Sequence, residues 1–178
     1  MRKTLTLQLG DPRLPARFWA KVAPNPATGC WEWTAAQKAG YGAYSHHGRV
    51  MAAHRVILGL VEELDPTLDV DHKCGVRHCV NPAHLRQVTR SENNQNQGPA
   101  RSNSRSGVRG VRPYRGRWAA YYRPAGKYKH IGVFGTKEEA SEAARTARLA
   151  AYSHNDIDRP NSLRAAIARA TSQESTHA

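Results

Sequence analysis

Residues 70–94 read VDHKCGVRHCVNPAHLRQVTRSENN, and this run constrains the chain more than any other. Cys74 and Cys79 are separated by four residues, and four more lead to His84. Asn81-Pro82 has the form of a helix N-cap followed by a first-turn proline, which would turn His84 back towards the two sulfurs. Two cysteines and a histidine at this spacing suit zinc, whose structural sites take four ligands in a tetrahedron. A fourth ligand must come from elsewhere, and the only other cysteine is Cys30. The competing use of three cysteines is one disulfide and a spare thiol. No secretory leader precedes them, so the expected compartment is the reducing cytoplasm, which disfavours disulfides.

With zinc on Cys30, Cys74, Cys79 and His84, His72 and Asp71 stand beside a metal they do not bind. A closed zinc site does no chemistry itself, but it pins the loop next to His72. An imidazole is mostly neutral at pH 7 and able to take a proton, which makes His72 a candidate general base. Breaking a phosphodiester also requires charge stabilisation on the phosphate and leaving oxygen. The carboxylate of Asp71 and the carboxamide of Asn93 are hard oxygen ligands suited to magnesium or manganese. Thr89 reads as the N-cap of a helix starting at Arg90, with Asn93 near its first turn.

DH, then NPAHL, then SENN resembles the HNH nucleases of the ββα-metal superfamily, and the H-x-C-x4-C-x4-H arrangement resembles the His-Cys box homing endonucleases. The resemblance implies a metal-dependent DNA endonuclease, encoded by a phage or mobile element. It implies that His72 activates water, that Asn93 binds the catalytic magnesium, and that Cys30, Cys74, Cys79 and His84 hold structural zinc. Asp71 matches an aspartate that joins the catalytic metal in related HNH enzymes and is missing from some His-Cys box members. Family members also place an arginine ahead of the motif to steady the phosphate and leaving group. Arg49 is the first choice for that role and Arg55 the second.

The rest of the chain sets the context. At 178 residues there is room for one ordinary domain or two small ones, neither with a large core, so a metal staple is expected. A net charge of +13 and a pI near 10.2 point to a polyanionic partner. No apolar run approaches the ~20 residues of a spanning helix, and no membrane role is expected.

Residues 4–9 alternate like a short strand, and residues 17–22 read as a turn or two of helix with Phe18 and Trp19 in the core. CWEWT reads as a strand with Cys30 at its start. Residues 41–50 read as a strand interrupted by HHG, and residues 52–63 as a helix. His54, in that helix, reads as structural. Residues 91–106 shift to Asn, Gln, Ser and Arg, as in a linker.

The linker leads into a second module. Short β-like runs at residues 108–112, 117–123 and 128–134, parted by PYRG and PAG, read as a three-stranded antiparallel sheet. Thr136 with Glu139 forms a capping box opening a helix over residues 137–152. Arg109, Arg112, Arg115, Arg117, Trp118, Tyr121, Arg123 and Lys129 interleave cations with aromatics, as a DNA-reading surface would. GVRGVRPYRGRWAAYYR followed by IGVFGTKEEASEAARTARLAA resembles the APETALA-type (ethylene-response-factor) DNA-binding domain over residues 107–152. Tyr121-Tyr122 and Ile131-Gly132 depart from that pattern. Residues 162–170 read as a short helix and the last eight residues as disordered tail.

The expected class is α+β: a zinc-stapled ββα-metal nuclease module over residues 1–98, a basic linker at 99–106, a sheet-and-helix DNA-binding module at 107–153, and a C-terminal helix and tail at 154–178. The expected partner is double-stranded DNA, with a homodimer as the route to cutting both strands. The expected products carry 5′-phosphate and 3′-hydroxyl ends. A DNA-binding regulator with a zinc scaffold is the alternative from another class, but it has no use for His72 and Asn93 in register. An RNA-cutting enzyme is the third reading.

Overall fold

The computed structural model describes residues 7–98, 100 and 102–174. Residues 4–6 of the expected first strand lie outside them, as do Pro99 and Arg101 of the linker. The chain divides into two compact units, Met1–Thr89 with Asn161–Ala178, and Arg90–Pro160. The division falls ahead of the expected linker, and the C-terminal helix belongs to the first unit.

In the first unit, α1 (Ala16–Trp19) is followed by β1 (Val22–Pro24) and β2 (Trp31–Trp33), which pair antiparallel. Next come β3 (Gln37–Lys38), β4 (Tyr41–His46) and β5 (Arg49–Ala52), a three-stranded antiparallel sheet ordered β3-β4-β5. The HHG turn joins β4 to β5 with His47 and Gly48 at positive φ. The core is aromatic. Phe18, Trp33 and Tyr44 are buried, with ring centroids 4.9–5.8 Å apart in tilted and edge-on pairs.

The helix α2 spans Ala53–Leu58 and buries Val56, Ile57 and Leu58. It stops at Gly59, short of the expected residue 63, because glycine is a poor helix former. β6 (Asp69–His72) then pairs antiparallel with β7 (Leu85–Val88), with Asp71 opposite Arg86 and His72 opposite Leu85. The connection between them carries the cysteines and a 3-10 turn at Pro82–His84. In chain order the first unit closes with α5 (Leu163–Glu174), so part of the tail expected to be disordered is helical.

In the second unit, α3 (Arg90–Gln95) starts where expected. β8 (Val111–Tyr114), β9 (Arg117–Tyr122) and β10 (Lys129–Phe134) form an antiparallel sheet ordered β10-β9-β8. β8 starts later than the expected residue 108. Gly110 has φ +77, and a Cβ there would come within 2.5 Å of the Tyr121 carbonyl, so the chain is turning at that point. The helix α4 (Lys137–Ala151) opens with the full capping box of Thr136 and Glu139. Its Ala140 and Ala144 are fully buried against Val111 and Ala120, and small side chains there let helix and sheet approach closely.

The molecule is thus a mixed α+β protein of small antiparallel sheets. Among the described residues no helix is long and apolar enough to cross a membrane.

Candidate active site and metal centre

Cys30 reaches the other cysteines through backbone pairing. Trp33 N donates to the His78 carbonyl at 2.9 Å, Val80 N donates to the Trp31 carbonyl at 2.7 Å, and Glu32 bridges to Cys79. β2 therefore lies alongside residues 78–80 and carries Cys30, just ahead of it, to Cys79. Asn81 locks the junction. Its Oδ1 accepts from Ala83 N at 3.0 Å as an N-cap, and its Nδ2 donates to the Gly29 carbonyl at 2.7 Å.

Cys30, Cys74, Cys79 and His84 converge, with their ligand atoms all within 4.8 Å of one another, and all four residues are buried. His84 Nδ1 lies 3.6 Å from both Cys30 Sγ and Cys79 Sγ. A neutral imidazole nitrogen has one lone pair and cannot accept from two thiols at once. Tetrahedral bonds of about 2.3 Å to sulfur and about 2.0–2.1 Å to nitrogen put sulfur and nitrogen about 3.6 Å apart. The donor set and both spacings fit zinc.

The ionisation of the three thiols supports the same reading. Hydrogen bonds from Cys74 and Cys79 hold the Cys30 thiol far below its ordinary range. The hydrogen bond to Cys30 in turn pushes Cys74 up to about 12, and the same contact pushes Cys79 up as well. Only one of the three is thus readily ionised on its own, and a cation between them would be needed to hold all three as thiolates.

The helix α5 covers this cluster. Ile167 and Leu163 pack on the cysteines with Val76, and the Arg164 guanidinium lies over Gly75, where a Cβ would come within 2.7 Å of Nε. Replacing Ile167 by alanine is expected to cost about 2 kcal/mol of local packing. Zinc should then pass to a chelating dye up to roughly thirtyfold faster, a difference read directly by absorbance.

His72 is buried at the end of β6, and its Nε2 lies 3.0 Å from the Cys79 carbonyl oxygen. A carbonyl only accepts, so Nε2 carries the proton and Nδ1 the lone pair. Burial lowers the His72 pKa below the usual histidine range, against the opposing pull of the Cys79 carbonyl and Asp71. The side chain is therefore a neutral base at pH 7, and the metal loop itself fixes its tautomer.

Asp71, also buried, accepts from Arg86 at Oδ2 through both Nε, at 3.0 Å, and a terminal nitrogen, at 2.7 Å. Arg86 is not among the expected site residues, and its signal in the sequence is the register of DVDH against LRQV, which sets it directly across from Asp71.

His54 is the other residue the sequence left outside the site. Its ring lies 4.8 Å from that of His72 and 5.3 Å from Tyr41, and Tyr41 lies 5.8 Å from His72. Arg77 stands 5.8 Å over the Tyr41 ring.

The remaining expected site residues lie on other elements. Arg49 is exposed at the start of β5, three residues and so about 10 Å from the strand's junction with α2. Arg55 is half-buried and donates to the Leu68 carbonyl at 3.3 Å, tying α2 to the approach to β6. Asn93 lies on α3, in the second unit.

On that second unit, Arg112, Arg117 and Tyr121 share the sheet face opposite α4 by strand alternation, with Arg115 at the β8–β9 turn. Tyr121 and Tyr128 stack with centroids 5.3 Å apart, and Arg112 and Arg123 stand 5.8 and 5.7 Å over the Tyr128 ring. Trp118 instead packs with the α4-facing core. Lys129 is exposed and pairs with Tyr122. The Arg109 guanidinium donates to the carbonyls of Gln95 and Gln97 at 2.9 and 3.0 Å and braces the backbone.

Residues 51–95, about a quarter of the chain, match the family model described as HNH endonuclease. The match is to an endonuclease family and is confined to this segment. No curated protein and no solved structure matches the chain at a significant level. The match ends before the β8–β10 sheet and α4, and the ethylene-response-factor resemblance of that region has no support from these comparisons.

Proposed function

We propose that the protein is a DNA endonuclease in which His72 deprotonates water for attack on phosphorus. The observation that carries this reading is the hydrogen bond of His72 to the Cys79 carbonyl, which leaves a buried, neutral imidazole with its lone pair on Nδ1 beside a zinc-type cluster. A regulator that only bound DNA would gain nothing from it. The cluster holds the 73–84 loop in shape, and that loop holds the imidazole.

Asp71 supplies a hard oxygen for a magnesium ion, and Asn93 is a second hard-oxygen donor by its place in the sequence pattern alone. Magnesium bound there would offset charge on the phosphate and the departing 3′ oxygen. Arg86 orients the Asp71 carboxylate and places a guanidinium beside the site, and Arg49, exposed at the start of β5, steadies the scissile phosphate and leaving group. The sheet face bearing Arg112, Arg117, Tyr121 and Arg123 holds duplex DNA in the manner of an ethylene-response-factor domain. Its support is the three-stranded topology and an open face of arginine and tyrosine.

Attack by water with departure of the 3′ oxygen gives 5′-phosphate and 3′-hydroxyl ends. Nicks made in supercoiled plasmid should therefore be resealed by DNA ligase without prior end repair. Nicks that ligase cannot reseal would contradict this step.

A further inference from the structure

Deepening that reading, we propose that His54 is a second catalytic histidine, whose neutral imidazole donates a hydrogen bond from Nε2 to the phosphate being cut. Its Nδ1 is buried with no hydrogen-bond partner among the described residues, and the residue is 6% exposed. A buried polar atom without a partner is costly, and orphaned buried N–H donors are rarer in folded proteins than under-satisfied acceptors. The tautomer of lower cost keeps the lone pair on the sealed Nδ1 and the proton on Nε2. What remains is an N–H donor on the other edge of the ring.

The ring lies 4.8 Å from His72 and at 65° to it, so a phosphate placed for attack by a water on His72 lies within reach of the His54 edge. Burial, with His72 and Arg55 as neighbours, pushes the His54 pKa down to about 3. It is therefore uncharged at any working pH and neither competes with His72 as base nor repels magnesium. Tyr41 closes one side of the pair, at 5.3 Å from His54 and 5.8 Å from His72.

The test is single-turnover cleavage of a plasmid by the full, zinc-loaded chain, comparing wild type with His54→Leu and His54→Gln, alongside DNA affinity and zinc content. Leucine fills the space without a donor, and glutamine restores one near Nε2. The expected result is a loss of about 100-fold in rate for His54→Leu, with DNA affinity and zinc unchanged and roughly tenfold recovered by His54→Gln. A His54→Leu protein that cuts within a few-fold of wild type overturns the inference, since packing alone then suffices. Equal loss in both variants with zinc lost overturns it too, because the role is then structural. If the wild type itself does not cut, the nuclease reading fails and takes this inference with it, whereas normal cutting by wild type and His54→Leu alike removes the inference alone.

Discussion

Replacing His72 by alanine is expected to lower DNA cleavage by about a hundred- to ten-thousand-fold, the range for removing a general base. DNA affinity and the thermal transition should stay near wild type. The lone pair on Nδ1 is the proton acceptor in this account, and alanine supplies none. The fold depends little on the side chain, because the turn after β6 is held by backbone bonds, from Lys73 N to the His84 carbonyl and from Gly75 N to the His72 carbonyl, each at 2.9 Å. The measurement is the rate of plasmid nicking at saturating protein, with a gel-shift titration on the same preparation. A variant that cuts at the normal rate would remove His72 from the mechanism.

The second large effect concerns the metal cluster. Stripping zinc with a chelator, or replacing Cys79 by serine, is expected to abolish the cooperative unfolding transition of the first unit. Zinc binding in small domains contributes about 10–16 kcal/mol, more than the stability of most domains this size. Here the loss would release three separate segments at once, the loop before β2, the 73–84 connection and α5, which have Cys30, Cys74, Cys79 and Ile167 in one cluster. Binding requires deprotonated thiols, and Cys74 and Cys79 are pushed up without the ion, so zinc affinity should weaken as pH falls. Circular dichroism during chelator titration reads the loss. An unchanged transition after full zinc removal would show that the aromatic core of Phe18, Trp33 and Tyr44 holds the unit alone.

Much of this site was legible in the chain because cysteine and histidine are chemically distinctive and their spacing is local. The convergence of Cys74, Cys79 and His84 and the Asn81 cap follow from residues within ten positions of one another. Cys30 was legible only by elimination, since the pairing of β2 with residues 78–80 that delivers it is a long-range contact. Arg86 and His54 were missed for the same reason. One needs the β6–β7 register, and the other needs the placement of α2 against β6, and neither leaves a local periodicity. Leu163 and Ile167, one turn apart, signalled a buried stripe on α5, but nothing in their sequence named the cysteine cluster as its target.

In the second unit, the capping box and the regular turns made the sheet and α4 readable almost to the residue. Individual side chains were harder. Trp118 faces α4 because alternation along β9 puts it with Ala120 and not with Tyr121. Arg109 looks like a DNA contact by composition, yet the structure engages its guanidinium with backbone carbonyls.

The most direct test is supercoiled plasmid incubated with the zinc-loaded protein, with magnesium added or omitted rather than chelated, so that the structural metal stays in place. Conversion to nicked or linear DNA is expected with magnesium, and little without it. Plasmid that stays supercoiled in magnesium, with the protein demonstrably folded and bound to it, would contradict the assignment and leave a DNA-binding protein built on a zinc scaffold.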